Sequence, residues 1–402
     1  MENQTTYPTS ATLQTSAKTR AAVRVQSAGR LLFVDNLRIF LTVLVLLHHA
    51  MITYANSGGW AYIEGREDFA TSLVGRIFCT ANQAYFMSLF LLISAYFVPG
   101  SYDRKGAGRF LKDRLVRLGI PLAIYCWVFR PLFGYAGFSL SGEINMPFWT
   151  WLRTEYFSGE IIGGGPMWFI ETLLIFSLVY AGWRLITRSR PVETAKESPF
   201  PRDRWIVLFT LGVGLVTFLA RLWYPVDTTF EPLNLQLGNF PQYIALFIAG
   251  LVAYRRNWLL GLPENVGRRW LIIAGILILL LLPLMMMGSR LENPDAGKGG
   301  MNWVALLYAT YQTFLCVAMC IGVVYIFRRY FDRQGRLANV LSRNAYTAYL
   351  IHEPILVILA LGLSGLFLYP LLKFALVAII AIPLIFALSG LVRKIPYADR
   401  AL

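Results

Sequence analysis

Arg38 and His49 are the two residues whose types and spacing point most directly to chemistry. Both lie in one apolar stretch, VDNLRIFLTVLVLLHHAMITYA, at positions 34–55. At about 100° and 1.5 Å per residue, a helix places them on one face, roughly 16 Å apart along its axis. Because a guanidinium binds anions and an imidazole takes up a proton near neutral pH, this face suits an anionic group at one end and a general base further along.

His48 immediately precedes His49 but faces elsewhere. It lies about 80° from the line that joins Arg38 and His49 on the same helix, so we expect it to support the site or to pack. For His49 too, a hydrogen bond that serves packing inside a helix bundle is the alternative to a catalytic role. The third of the chain's three histidines is His352.

A second pair of cations, Arg114 and Arg117, lies in GRFLKDRLVRLGIP, positions 108–121. The i, i+3 spacing puts both residues on one helix face. Two guanidinium groups there suit bidentate binding of phosphates. The alternative is ordinary positive charge at a membrane surface, which orients the neighbouring helix.

The remaining candidates are polar residues in otherwise apolar helices, where ionisable groups are costly unless they are paired or functional. Glu171 lies near the start of a helix that begins with Trp168; its carboxylate either stays solvated near the membrane surface or turns into the bundle. Tyr349 and His352 are spaced i, i+3 in RNAYTAYLIHEPIL, 343–356, and are either site residues or structural polar anchors. The same criterion adds Arg130, Glu353 and Lys373.

The elements that must position these residues are membrane-spanning helices. The 402 residues are 56% hydrophobic and 15% charged, with a mean hydropathy of +0.54, whereas soluble domains have about 25% charged residues. Apolar runs long enough to cross a bilayer recur along the chain. The predicted fold class is therefore all-α, a polytopic bundle of about ten transmembrane helices. The predicted spans are 37–56, 80–99 (or from Phe69), 118–138, 165–186, 205–224, 239–254, 270–288, 303–327, 344–364 and 369–392.

Basic residues orient this bundle. With the N-terminus in the cytoplasm, 29 of the 37 basic residues fall in cytoplasmic segments, as the positive-inside rule requires. Both termini are thus predicted to be cytoplasmic. The net charge of +15 is then an orientation signal, and no nucleic-acid partner is expected.

Three regions are predicted. Residues 1–30 are polar, basic and Ser/Thr-rich, which indicates a disordered cytoplasmic tail and not a cleavable signal peptide. Residues 31–394 form the transmembrane domain, and 395–402 form a short cytoplasmic C-terminal tail. The four cysteines lie in or beside apolar segments without a zinc-binding spacing, so neither a disulfide nor a metal site is expected.

Taken in order, these motifs resemble the membrane-bound acyltransferase 3 family over about 360 residues. The resemblance includes the DNLR start with Asp35 and Arg38, and the Arg-x10-His spacing that ends at His49. It also includes the Arg-x-x-Arg pair at 114 and 117. Three further stretches carry it: FLLISAYFVP (90–99), MWFIETLLIFSLVY (167–180) and YTAYLIHEPIL (346–356).

The resemblance implies an integral O-acyltransferase of the cytoplasmic (inner) membrane. His49 would be the general base, Arg38 would help to position the donor or hold this face of the helix, and Arg114 and Arg117 would bind the phosphates of a cytoplasmic acyl-CoA. The donor is most commonly acetyl-CoA, with succinyl as the variant, and no tightly bound cofactor is expected. The acceptor would be a hydroxyl of an extracytoplasmic sugar or glycan. Substrate contacts or support would come from Asp35, His48, Trp168, Glu171, Tyr349 and His352.

Two departures from the family pattern and two other functions complete the prediction. Ala95 stands where the family often has glycine, so we expect different helix packing there, and we expect no appended esterase-like domain after the last span. The alternative function is a secondary transporter or exporter of an anionic lipid or sugar, although the sequence has no visible inverted repeat to favour it. A scaffold or sensor, the third possibility, would leave His49 dispensable.

Overall fold

The computed structural model describes residues 30–64, 68–140, 144–158, 164–187, 198–230, 233–288, 290, 293–396 and 398. The predicted N-terminal tail lies outside the described residues except for Arg30, and the C-terminal tail is described only at 395–396 and 398. Within these ranges the chain is helical, and β-structure is limited to one antiparallel bridge between Phe230 and Leu235.

In the described part of the chain, ten helices are long and apolar enough to cross a membrane. This confirms the predicted all-α bundle of ten spans. Short 3₁₀ turns, Gly165–Met167 and Leu237–Asn239, lead into the fourth and the sixth. The helices are α1 (Leu32–Ala55), α2 (Phe69–Tyr96), α3 (Val98–Ser139), α4 (Trp168–Ile186), α5 (Asp203–Ala220), α6 (Phe240–Arg255), α7 (Glu264–Gly288), α8 (Trp303–Tyr330), α9 (Arg336–Gly362) and α10 (Pro370–Val392).

Helix α3 differs from the predicted third span, 118–138. It begins at Val98, so the basic residues predicted to lie between two spans are themselves helical. Its 42 residues would measure roughly 63 Å if straight, about twice the thickness of a bilayer core. Gly106 interrupts it with φ 72° and ψ 167°, a conformation that glycine alone adopts freely. The chain therefore turns at Gly106, and the membrane-length helix follows.

Helix α1 lies at the centre of the bundle, where it packs against α2, α8, α9 and α10. Its contact with α9 is built from small residues: Ala50 of α1 and Ala345 and Ala348 of α9 share one buried cluster. Small side chains let two helices approach closely where no hydrophobic force between helices operates. This close approach brings the polar residues of α1 and α9 within reach of one another.

The Ala95 region packs closely in spite of the missing glycine. Ala95 is fully buried in α2, and the helix that crosses it, α6, has Gly250 at the contact. A side chain at Gly250 would collide with the carbonyl of Leu92 and with the Ala95 methyl group. The small residue needed for the crossing is therefore supplied by α6.

The bundle has two distinct ends. The start of α1 meets the start of α9, where Arg30 donates to Asn339 (3.1 Å) and Ser342 (2.8 Å). We call this end, at which α10 also finishes, the terminal end. We call the opposite end, where α1 finishes and α2 and α10 begin, the far end.

Candidate active site

The centre of the site is a pair of histidines from α1 and α9. Nδ1 of His49 lies 2.9 Å from Nε2 of His352, although 303 residues separate them in sequence. The two rings are nearly parallel, with an interplanar angle of 10°. His352 is fully buried, whereas His49 retains partial exposure. The structure therefore brings together the two histidines that the sequence placed in separate motifs.

The hydrogen bonds of His352 define how protons are arranged in the pair. Its Nδ1 lies 2.5 Å from the carbonyl oxygen of Tyr349, which only accepts, so Nδ1 carries the proton. In neutral His352 the other nitrogen, Nε2, then accepts the bond from Nδ1–H of His49. This tautomer leaves the lone pair of His49 on Nε2. His49 thus has one basic nitrogen, Nε2, and the hydrogen bond from its Nδ1 to His352 fixes the direction of that nitrogen.

Trp60 covers the histidine pair. Its ring lies parallel to that of His49, with 4.0 Å between centroids and an interplanar angle of 9°. The indole also overlaps His352, at 6.1 Å and 19°. This contact has no signal in the sequence, since Trp60 lies outside the predicted spans and tryptophan is common at membrane surfaces.

A cavity of about 40 Å³ lies beside His49. Because a single water needs about 10–15 Å³, the cavity has room for a hydroxyl group and too little for a sugar ring. A larger open depression, about 590 Å³, lies at Trp149 and Arg153 and contains none of the predicted site residues. The residues that line the smaller cavity are Val45, His48, His49, Gln83, Phe86, Met87, Pro166, Trp168 and Tyr349.

Three of the predicted supporting residues, His48, Trp168 and Tyr349, lie at this cavity. His48 is buried against the ring of Phe86, with 5.0 Å between centroids. Trp168 stacks on Tyr243 at 5.4 Å. The hydroxyl of Tyr349 donates to the carbonyl of Pro166, so the turn before α4 is tied to α9 directly beside the histidine pair.

Glu171 is not among the residues that line the cavity. It is half-buried one turn into α4, and its carboxylate is near the backbone of Gly164. Glu171 thus lies outside the cavity, although Trp168 on the same helix lines it.

A buried acidic network lies behind His352. Its neighbour Glu353 is 5% exposed and accepts a hydrogen bond from the hydroxyl of Tyr125. Arg130 Nη1 lies 3.9 Å from the same carboxylate. Tyr125 opens a π-helical turn of α3, Tyr125–Phe129, a distortion that often accompanies functional sites. Arg130 and Glu353 stood out in sequence only as ionisable residues inside spans; their pairing depends on α3 meeting α9.

The predicted cations gather at the terminal end. Arg38 Nη1 lies 3.3 Å from Asp35 Oδ1, and its guanidinium covers the ring of Phe97 at 4.8 Å. Arg117 is close enough to interact electrostatically with both Arg38 and Arg114. We call Arg38, Arg114 and Arg117 the basic cluster.

Little negative charge balances the basic cluster. Asp35 is shared with Arg30, and Asp113 is bound by Lys105. The hydroxyl of Tyr346 on α9 donates to the carbonyl of Arg117 (2.5 Å), which connects α3 to α9. Because α1 is one unbroken helix, the cluster and His49 are separated by roughly 16 Å along it.

The described residues include no group of three or more His, Cys, Asp or Glu side chains that could hold a metal ion. Cys316 and Cys320 are buried one turn apart in α8. The polar side chains that line the cavity are those of His48, His49, Gln83, Trp168 and Tyr349.

Fold and site together define an integral membrane protein with a paired imidazole in its core and a cluster of three arginines at one end. A family model described as an acyltransferase domain matches residues 31–390. The chain belongs to this acyltransferase 3 family, which confirms the resemblance seen in sequence and supports an acyltransferase-like function. No curated protein and no solved structure matches the chain.

Proposed function

We propose that this protein is an O-acyltransferase that moves an acyl group from acyl-CoA to a hydroxyl of an extracytoplasmic sugar or glycan. The donor is most simply acetyl-CoA, and succinyl-CoA is the variant. The terminal end faces the cytoplasm, as the distribution of basic residues favours, and the membrane is the cytoplasmic one. His49 is the general base of the reaction.

The hydrogen-bonded pair of His49 and His352 is the observation that carries this proposal. An imidazole is an effective general base when it is held in one tautomer with its basic nitrogen directed at the reacting group. The bond from His49 Nδ1 to His352 Nε2, 2.9 Å long, supports that tautomer. The hydroxyl-sized cavity next to His49 supports an alcohol as the acceptor.

The reaction follows from this arrangement. Nε2 of His49 removes the proton of the acceptor hydroxyl while the oxygen attacks the thioester carbonyl. The C–S bond then breaks, and the coenzyme A thiolate leaves and recovers the proton from His49. An ester and free coenzyme A are the products, and no redox partner is needed. An acyl-histidine intermediate would require a second transfer step, so direct transfer is the more economical path.

The basic cluster supports an anionic donor. Arg114 and Arg117 would bind the phosphates of coenzyme A, with Arg38 between them and His49. Because roughly 16 Å of helix separates the cluster from His49, the donor would bind in an extended form, with its phosphates at the cytoplasmic face and its thioester at the histidine pair.

The decisive experiment replaces His49 and measures acyl transfer directly. Cell-envelope glycans from cells with the wild-type gene, with no gene and with His49→Ala are compared by mass spectrometry, and release of free coenzyme A is measured in purified membranes. We expect His49→Ala to lower both by about 100-fold or more, as is usual for loss of a general base. Transport without consumption of acyl-CoA would instead identify a transporter.

Leu47→Ala is the matched control because Leu47 is a half-buried residue of the same helix that does not line the cavity. It should keep most of the activity, and both variants should reach wild-type levels in the membrane. Full activity of His49→Ala would refute the proposal.

A further inference from the structure

The segment 56–64 passes over the end of α1 and brings Trp60 onto the histidine pair. Asn56, with φ 48°, ends α1 and turns the chain back. The backbone N–H of Glu64 donates to the carbonyl of Thr53 (2.9 Å), and the Thr53 hydroxyl donates to the carbonyl of His49 (3.2 Å). The segment thus leaves and rejoins the helical turn that follows His49. We call residues 56–64 the strap.

A buried ion pair attaches the strap to α10. Nζ of Lys373 lies 2.5 Å from Oε1 of Glu64 and 3.3 Å from the carbonyl of Ser364. Lys373 is 1% exposed, and the Glu64 side chain is 11% exposed. Because desolvation of two charges offsets much of their attraction, such a pair is weak support for stability and is better explained by a need for a defined geometry. Here the geometry it defines is that of the strap.

The indole of Trp60 is held by stacking and by the strap. Its Nε1 is buried and has no hydrogen-bond partner among the described residues. Its position is therefore set by the flat face of His49 below it and by the strap on either side. A flat, electron-rich face lies against the ring that gains a proton during the reaction.

This placement has an electrostatic consequence. A cation above the face of an aromatic ring is attracted by the ring quadrupole, most strongly for tryptophan and more strongly in a dry site. The indole interacts more favourably with a protonated His49 than with a neutral one. An interaction that strengthens as the transition state forms raises the rate of the chemical step, whereas an interaction that is equal in both states does not.

We propose that Trp60 is a positioning residue for acyl transfer, which holds the His49 ring and stabilises its protonated form through the indole face. This inference rests on the proposed role of His49 as the base. The strap, fixed by Glu64 and Lys373, keeps the indole in place and closes the far-end side of the histidine pair.

The test compares Trp60→Phe with Trp60→Leu in the full-length protein in membranes, with acetyl-CoA as the donor. Both side chains are apolar, but only phenylalanine keeps an aromatic face. We expect Trp60→Leu to lower kcat by about 10- to 30-fold and Trp60→Phe by no more than about 5-fold, with the KM for acetyl-CoA within about twofold of wild type in both. Trp223→Leu is the matched control, since Trp223 is also beyond the end of a span at the far end but is 73% exposed.

The possible outcomes separate this inference from the proposed function. If His49→Ala is inactive while Trp60→Leu keeps wild-type kcat, the inference fails and the function stands. Equal losses in Trp60→Leu and Trp60→Phe would show that the indole only fills space, which also overturns the inference. If His49→Ala is fully active, the function fails and the inference falls with it. Thermal unfolding of each variant in detergent separates loss of kcat from loss of fold.

Discussion

The two ends of the bundle differ in how their charged side chains are paired and buried. At the terminal end, Arg38, Arg114 and Arg117 lie near one another with little acidic charge between them, and Arg117 is exposed. At the far end, Lys373 is buried and bound to a carboxylate within 2.5 Å. At the terminal end, cationic charge is therefore accessible to a ligand. At the far end, the charge of Lys373 is taken up by a carboxylate of the protein itself.

This difference indicates which end exchanges its ligand with solvent. Mutually repelling arginines, of which Arg117 is exposed, gain when a phosphate binds, so under the proposed function the terminal end is the one that suits a soluble anionic donor. A buried pair gains nothing from an added anion and fixes the backbone on either side of it. The charged pair at the far end therefore has a structural role. The histidine pair lies between the two ends of the bundle.

The largest expected effect concerns the buried pair at the far end. Lys373→Met leaves the Glu64 carboxylate buried without its partner, which should lower the free energy of unfolding by about 3–5 kcal/mol. In the double variant Glu64→Leu/Lys373→Met, stability should return to within about 1 kcal/mol of wild type, because no uncompensated charge remains. Unfolding in detergent, followed by circular dichroism, measures both.

Lys298→Met provides the control for a solvent-exposed pair at the same end. Lys298 is 48% exposed and lies 3.0 Å from both Asp227 and Asp295, and hydrogen bonds to Asp295 and Asp227 raise the pKa of Lys298. Its loss should cost less than about 1 kcal/mol, since water screens such pairs. Equal losses for Lys373→Met and Lys298→Met would contradict the proposed contrast between buried and exposed charge.

The second prediction addresses the basic cluster at the terminal end. Arg114→Gln/Arg117→Gln should raise the KM for acyl-CoA by about 10- to 100-fold, because charge-assisted bonds to the donor phosphates are lost. The kcat at saturating donor should change little, since these bonds are present in ground state and transition state alike. Steady-state kinetics at several salt concentrations would show a weaker salt dependence than in wild type.

Arg333→Gln is the control for that pair, because Arg333 is an exposed arginine at the same end but outside the cluster. Its KM should stay near that of wild type. If both variants raise KM equally, the effect comes from surface charge in general, and the cluster has no specific role.

Much of the fold could be predicted from the sequence because a membrane helix carries its own signal, a long apolar run. The ten spans follow from such runs, and the common face of Arg38 and His49 follows from helical periodicity within an unbroken α1. The start of α3 is not visible in the sequence because residues 104–117 are rich in lysine and arginine, which favours a region between spans. Lysine and arginine are good helix formers, and the turn depends on a single residue, Gly106.

Less of the candidate site could be predicted, because its contacts join separate helices. The partner of His49 lies 303 residues away, and nothing in either motif specifies how α1 faces α9. Trp60 carries no signal, since its role depends on where the strap folds. Lys373 did carry one, because a lysine within a span needs a carboxylate, but nothing in the sequence selects Glu64 from the other acidic residues between the spans.

The smallest predicted effect tests whether His352 acts on His49 through their hydrogen bond. His352→Leu removes the acceptor for Nδ1–H of His49, so the imidazole loses its fixed tautomer, and kcat should fall by roughly 10- to 50-fold with an unchanged KM for acyl-CoA. In His352→Gln, the side-chain carbonyl still accepts that proton and the amide still donates to the Tyr349 carbonyl, so most of the loss should be avoided. Equal activity in the two variants would mean that His352 contributes packing alone. His352 would then hold the His49 ring in place without selecting its tautomer, and the donor-binding role of the terminal end would be the only part of the contrast that bears on the reaction.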